Sequence, residues 1–243
     1  MSSAIADKTV LITGANRGLG RALLDEALRK GATRVYAASR RLMVVPDERV
    51  TPLLLDVTAP REIREAVDTV GSLDLLINNA GISVPGDLSD RTSLERHFAV
   101  NLYGTLDVTR AFLPALTRSR GSVVNVVSLG AVAAVPLLPA YSASKAASLS
   151  VTQSLRALLA SRGVTVHAVL PGPIDTDMVR DLDIAKAPAA EVARAIFDGL
   201  ARGEEEIFPD PMSQSVADGW RVGVAKELER QNSAMVQAAP IAA

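Results

Sequence analysis

Tyr141 and Lys145 stand four residues apart in Tyr141-Ser142-Ala143-Ser144-Lys145, and Ser128 ends an apolar run thirteen residues before Tyr141. On a helix, that four-residue spacing puts both side chains on one face. A free phenol titrates near ~10 and is a poor acid or base at neutral pH. An ammonium beside it favours the phenolate and lowers that pKa. Such a pair could give or take a proton at an alcohol or carbonyl oxygen. The Ser128 hydroxyl could donate a hydrogen bond to the same oxygen. By itself Y-x-x-x-K is more often a solvated helix face, so its weight depends on the elements around it.

Those elements alternate. Short apolar runs at Thr9–Thr13, Arg34–Ser39, Thr51–Asp56, Leu73–Asn78, Ser122–Ser128, Thr165–Leu170 and Glu206–Phe208 read as strands. Several are near-continuous hydrophobic runs, as in parallel strands buried on both faces. Helical patterns fall at Gly18–Lys30, Pro60–Val70, Ser89–Arg118, Tyr141–Arg162 and Pro188–Arg202. The alternation predicts βαβ units with right-handed crossovers and one doubly wound α/β sheet. The tail from Asp210 to Ala243 is less regular; Val222–Met235 could be helical and Ala238–Ala243 is expected to fray.

Val10-Leu11-Ile12 runs into Thr13-Gly14-Ala15-Asn16-Arg17-Gly18-Leu19-Gly20, and a helical pattern follows. A Gly-rich turn between a first strand and a helix suits a dinucleotide pyrophosphate, because the backbone can approach closely and the helix N-terminus favours the anion. The spacing is G-x-x-x-G-x-G rather than G-x-G-x-x-G. The second strand ends at Ser39-Arg40-Arg41, with Arg40 twenty residues past Gly20 and no acidic residue there. An acidic residue at this place would bind the ribose 2′-hydroxyl of NAD, whereas arginine accommodates the 2′-phosphate of NADP. Arg17, inside the turn, offers a second guanidinium. The cofactor expected is NADP(H).

Composition excludes other classes. With 26 basic and 27 acidic residues and a net charge of −1, nothing favours nucleic acid or an anionic membrane surface. Cysteine is absent, which rules out disulfides and suits a reducing compartment. Only His97 and His167 occur, so no histidine metal site is expected; His97 reads as a packing or surface residue, and His167, in an apolar strand, as one with a satisfied backbone partner. Met1 to Lys8 lacks the pattern of a signal peptide. Gly121 to Ser144 carries no charge, yet its Asn, Ser and Pro residues read as a buried strand, a loop and a helix start rather than a membrane span. Glu204-Glu205-Glu206 reads as a solvated turn, and Trp220 as an anchor of the tail or of an interface.

Taken together, the glycine turn, Asp56-Val57, Asn78-Asn79-Ala80-Gly81, Asn101, Ser128, Tyr141 with Lys145, and Pro171-Gly172-Pro173-Ile174-Asp175-Thr176 resemble the short-chain dehydrogenase/reductase family in order and spacing, from about Thr9 to about Met178. The resemblance implies one Rossmann-type domain over residues 1–243 with a seven-stranded parallel sheet flanked by helices. Residues 1–120 would form the cofactor half, 121–209 the catalytic and substrate half, and 210–243 a tail. It further implies a homodimer or homotetramer acting on a small-molecule carbonyl or alcohol, and the expected location is cytoplasmic. Tyr141 would be the acid/base, Lys145 would lower its pKa and hold the nicotinamide ribose, and Ser128 would orient the substrate oxygen. Asn101, in a locally distorted helix, would hold a relay water. Asp56 and Val57 would flank the adenine, and Asn79, Ala80 and Gly81 would line the cofactor. Pro171, Gly172, Ile174 and Thr176 would lie along the nicotinamide, with helix capping as a second reading for Thr176.

Leu129–Ala140 and Ile82–Leu88 are largely apolar, and the lid from Met178 to about Ala187 is short. These loops suggest hydrophobic or bulky ketones and aldehydes. The alternatives are a 3-oxoacyl-thioester reductase, a non-catalytic NADPH-binding sensor or scaffold, and a sugar-nucleotide epimerase or dehydratase, for which the C-terminal region is small.

Overall fold

Apolar side chains point alternately to the two faces of the strands, and helices cover both faces. The computed structural model describes residues 5–238. Its strands are β1 (Thr9–Thr13), β2 (Arg34–Ser39), β3 (Val50–Leu54), β4 (Leu75–Asn78), β5 (Ser122–Val126), β6 (Thr165–Val169) and β7 (Glu206–Ile207). They form one seven-stranded parallel sheet in the order β3-β2-β1-β4-β5-β6-β7. The helices are α1 (Gly18–Arg29), α2 (Pro60–Val70), α3 (Arg91–Phe98), α4 (Thr105–Ser119), α5 (Pro139–Ala160), α6 (Ala189–Ala201), α7 (Pro211–Arg221) and α8 (Val224–Ala238). Val10 and Ile12 pack with α1 and α6, while Leu11 between them packs with α2 and α4. Burial on both faces is why the strands read as continuous hydrophobic runs.

The strand order reverses between β1 and β4, and a crevice opens at such a switch point beyond the carboxyl ends of the strands. A polar ladder holds the sheet centre to the helices beside it. Asn78 and Asn125 are paired in register and hydrogen-bonded at 2.9 Å. Asn78 also donates to Thr109 on α4 and Asn125 to Thr152 on α5.

Several expectations are corrected. The single helix expected over Ser89–Arg118 is split into α3, a π-helical segment at Ala99–Gly104, and α4, and that segment is the local distortion expected at Asn101. Part of the cause is close packing: a Cβ on Gly104 would come within 2.6 Å of Val57 Cγ2. The strand expected to reach Ser128 ends at Val126, and β3 ends at Leu54, so Ser128 and Asp56 stand just past their strands. The tail holds two helices. Asp210 starts α7 with a capping box, accepting from the Ser213 amide at 3.0 Å, with Pro211 in the first turn. α8 includes the expected Val222–Met235 pattern from Val224 on. Of the expected frayed end Ala238–Ala243, residues 239–243 lie outside the described residues.

Glu204-Glu205-Glu206 is not a simple solvated turn. Glu206 is buried, and Arg156 of α5 meets it at 2.8 Å. Lys226 of α8 meets Glu205, Glu206 and Glu229 at 2.7, 2.8 and 2.9 Å. Arg156 also pairs with Glu229. The triplet therefore fastens α5, β7 and α8 together, a long-range pairing invisible in local sequence. Trp220, on α7, packs against the cluster that holds Phe208 and Leu170. Among the described residues no helix is long and apolar enough to cross a membrane.

Candidate active site

The glycine turn follows β1 and closes against the end of β4. Gly14 and Gly18 have positive φ, +67° and +54°, which glycine adopts without strain. Gly20 is needed for space. A Cβ there would run into the Gly14 carbonyl oxygen and come within 2.6 Å of Asn79 Nδ2. Asn79 is the stitch: its side chain donates to the Thr13 carbonyl at 2.9 Å, and Thr13 Oγ1 accepts from the Asn79 and Ala80 amides at 3.0 and 3.1 Å. We expect Gly20→Ala to destabilise the fold by about 2–3 kcal/mol, the scale of overpacking in a tight site. Urea unfolding checks this, and an unchanged midpoint would refute the close approach.

The first turn of α1 has no acidic residue, and no side chain caps its N-terminus. Its free amides are therefore available to an anion. Arg40 and Arg41 extend past β2 and have no hydrogen bond or ion pair from their guanidinium groups among the described residues. Arg17 differs from expectation: its Nη1 is bound to Asp177 Oδ2 at 2.9 Å.

One cleft of about 1010 Å³ runs over the sheet end. It is lined by every residue expected to hold cofactor: Gly14, Asn16, Arg17, Gly18, Leu19, Gly20, Arg40, Asp56, Val57, Asn79, Ala80, Gly81, Tyr141, Lys145, Pro171, Gly172, Ile174 and Thr176. Ser128 lines it too, and Asn101 does not. Residues not singled out from sequence also line it, among them Arg96, Thr58, Val100 and Asp177. Arg96, on α3, and Val100, in the π-helical segment, are four residues apart, a spacing already visible in the sequence. Thr176 does not cap the turn at Asp177–Val179; its hydroxyl donates to the Ile174 carbonyl at 3.3 Å.

At the inner end, a short 3-10 turn, Leu129–Ala131, brings Ser128 beside Tyr141: a Cβ on Gly130 would lie 3.4 Å from Ser128 Oγ and 3.7 Å from Tyr141 Cε1. Ser128 Oγ accepts from the Gly130 amide at 3.0 Å. α5 begins at Pro139, so Tyr141 lies in its first turn and Lys145 one turn on. Lys145 Nζ is 5.8 Å from the centre of the Tyr141 ring and donates to the Val126 carbonyl at 2.7 Å. Lys145 is only 5% exposed. Burial pushes its pKa down to about 8.

Burial likewise pushes the Tyr141 phenol up, with the neighbouring Ser128 hydroxyl acting the other way in favour of the phenolate. This corrects the expectation of a lowered phenol. Both groups are withdrawn from water, and desolvation acts against each charged form.

Asn101, 1% exposed, clamps the loop after β4. It accepts from the Ile82 amide at 2.9 Å and donates to the Ile82 carbonyl at 3.0 Å and to Ser144 Oγ at 2.9 Å. His97 supports the same loop, accepting from the Val84 amide at 3.1 Å through Nε2 while Nδ1 donates to the Ser93 carbonyl. The expected packing role for His97 holds, and His167 has the expected backbone partner, the Glu204 carbonyl. Gly81 leaves room for this core: a Cβ there would lie 3.2 Å from Asn101 Oδ1 and 3.7 Å from Lys145 Nζ.

The comparisons agree with the geometry. The family profile described as short chain dehydrogenase matches residues 8–187. Estradiol 17-beta-dehydrogenase 2 of Rattus norvegicus is 34% identical over 74% of the chain, which spans 51% of that enzyme. The chain thus spans about half the length of this relative. 11-beta-hydroxysteroid dehydrogenase-like 3 of Arabidopsis thaliana is 34% identical over 84% of the chain and 73% of its own. A short chain dehydrogenase from Burkholderia cenocepacia, solved in complex with NADP, is 36% identical, covers 93% of this chain and 98% of its own, and superposes with a TM-score of 0.86. The chain therefore belongs to the short-chain dehydrogenase family of oxidoreductases.

Proposed function

We propose that the chain interconverts a ketone or aldehyde and its alcohol with NADP(H), acting on hydrophobic or bulky substrates. The meeting of Ser128, Tyr141 and Lys145 in the wall of the cleft that holds the glycine turn and the unpaired Arg40 and Arg41 carries this reading. The cleft fits the cofactor. α1 offers uncapped amides to a pyrophosphate, and Gly14 and Gly20 leave its bed free of side chains. Arg40 and Arg41 suit a 2′-phosphate. Asp56 and Val57 would flank the adenine, and Ile174 and Thr176 the carboxamide.

When bound, the cofactor supplies a hydride in reduction and accepts one in alcohol oxidation. Tyr141 gives its proton to the substrate oxygen as negative charge develops there, and takes it back in oxidation. Ser128 donates a hydrogen bond to the same oxygen and so favours the developing charge. The Lys145 ammonium steadies the phenolate left behind. Asn101 keeps Ile82 and Ser144 in place, and its main-chain carbonyl in the widened helical segment would hold the relay water.

The substrate end is apolar. Val84, Val132, Val135, Leu137, Met178, Leu182 and Ile184 are exposed on the three surrounding loops. Gly86 N lies 3.5 Å from the Leu137 carbonyl, so the first two loops adjoin. The lid is pinned at its base, where the Asp175 amide donates to the Ala187 carbonyl and the Ala187 amide to the Pro173 carbonyl, each at 2.9 Å. The names of the steroid-acting relatives support a lipophilic carbonyl as substrate. Turnover confined to charged acyl thioesters would overturn this substrate reading.

Cofactor choice tests the rest. Arg40→Asp should weaken NADPH binding by about 10- to 100-fold, the equivalent of a lost charged hydrogen bond of about 1.5–3 kcal/mol. NADH binding should change far less. An unchanged ratio of the two dissociation constants would remove Arg40 from the 2′-phosphate.

A further inference from the structure

The glycine turn and the lid touch across the mouth of the cofactor cleft, 160 positions apart in the chain. Arg17 Nη1 binds Asp177 Oδ2 at 2.9 Å. Beside this pair, a Cβ on Gly18 would lie 3.1 Å from Thr176 Cγ2, so the two segments are close-packed there. Both Arg17 and Asp177 line the cleft. The other oxygen of Asp177, Oδ1, is bound by Arg180, within the lid itself. Arg40 and Arg41, lining the same cleft, have no such acidic partner among the described residues.

We propose that Asp177 is a specificity-determining residue for the cofactor: it competes with the 2′-phosphate of NADP(H) for Arg17. The inference rests on the NADP(H) reading above. Arg17 has one guanidinium and two anionic partners within reach of the turn, a lid carboxylate and a cofactor phosphate. Leaving Asp177 costs little, because Arg180 already neutralises that carboxylate from its other side. Asp177 is therefore not orphaned when Arg17 turns away. The pair is also wet, with side chains 66% and 43% exposed, so it contributes at the scale of a surface ion pair rather than a buried one. Arg40 and Arg41 attract the 2′-phosphate constantly, whereas the contribution of Arg17 is conditional on the lid. NADH, without that phosphate, brings the turn only the pyrophosphate that both cofactors share. The lid contact thus lowers affinity for the phosphorylated cofactor alone, and it ties cofactor release to re-formation of the Arg17–Asp177 bridge.

The test is a set of dissociation constants for NADPH, NADH and adenosine 2′,5′-bisphosphate, measured by titration calorimetry on the wild type, Asp177→Asn, Arg17→Ala and the double variant. Asp177→Asn should tighten NADPH and the bisphosphate by roughly two- to fivefold, the fold equivalent of an exposed ion pair, and leave NADH unchanged. In the Arg17→Ala background the same substitution should do nothing. The proposal is overturned by equal tightening of NADH, by no tightening of NADPH, or by an effect that survives loss of Arg17. Failure of the underlying reading is visible separately: the wild type itself would then bind NADH at least as well as NADPH. Asp177 and Arg17 are exposed and their substitution removes no core contact, so thermal melting should show all four proteins folded.

Discussion

Tyr141→Phe is expected to lower carbonyl reduction by about 10²- to 10⁴-fold, the range general acid catalysis contributes, while NADPH binding stays within a few-fold of wild type. The substitution removes one oxygen and leaves the ring in place, so the packing of α5 against the 3-10 turn at Leu129–Ala131 survives. What is lost is the proton donor beside Ser128. Loss of NADPH affinity in parallel with the rate would mean that the phenol serves binding rather than proton transfer. A substantial residual rate would mean another donor reaches the substrate oxygen. Single-turnover rates and equilibrium titrations with NADPH separate these outcomes.

The second large effect is on stability, and its sign depends on pH. Lys145 is buried, with its pKa pushed from 10.5 down to about 8. Below pH 8 the folded cofactor-free protein carries a buried ammonium that the unfolded chain keeps in water. That difference of about 2.5 units corresponds to about 3 kcal/mol of destabilisation near neutral pH. As pH rises from about 8 to 10.5, the folded state releases its proton before the unfolded state does, so wild-type stability rises across this window. Lys145→Met, close in length and apolar, should therefore be more stable than wild type at pH 7, by up to about 3 kcal/mol, and that advantage should vanish by pH 10.5. Its turnover should collapse at every pH. Urea midpoints of both proteins across pH 7–10.5 check the sign. A variant less stable than wild type at pH 7 would show that the bond from Lys145 Nζ to the Val126 carbonyl outweighs the desolvation cost. The prediction has the form expected of a functional group: a residue retained at a cost to stability, because the ammonium is needed beside Tyr141.

The sheet was legible in sequence because burial on both faces leaves apolar runs such as Val10-Leu11-Ile12 and Leu75-Leu76-Ile77 unbroken. The site was legible for a related reason. Gly14, Gly18 and Gly20 stand where a backbone must bend or approach, Tyr141 and Lys145 share a helix face by spacing alone, and Arg40 ends a strand that carries no carboxylate. What escaped is what long-range pairing decides. The distortion at Asn101 was expected only through the family resemblance, because nothing local in Ala99–Gly104 announces it; it goes with the clamp of Asn101 on Ile82 and Ser144 and the approach of Gly104 to Val57. The burial of Glu206 depends on Arg156 and Lys226, which are far from it in the chain. α7 carried a readable signal in Asp210-Pro211 and Ser213, and Asp210 also accepts from the Gly172 amide at 2.8 Å, which ties the tail to the cleft. The rise in the Tyr141 pKa was missed because a charge partner is visible in sequence and the depth of burial is not.

The most direct test of hydride transfer at this site is isotopic. The protein is incubated with NADPH deuterated at either face of nicotinamide C4 and with a panel of lipophilic ketones and aldehydes, and the products are read by mass spectrometry. The account predicts deuterium on the carbinol carbon of at least one product, delivered from one labelled face and not the other, and absent with Tyr141→Phe. NADPH that binds tightly while no panel member gains deuterium, or label that arrives equally from both faces, would contradict it.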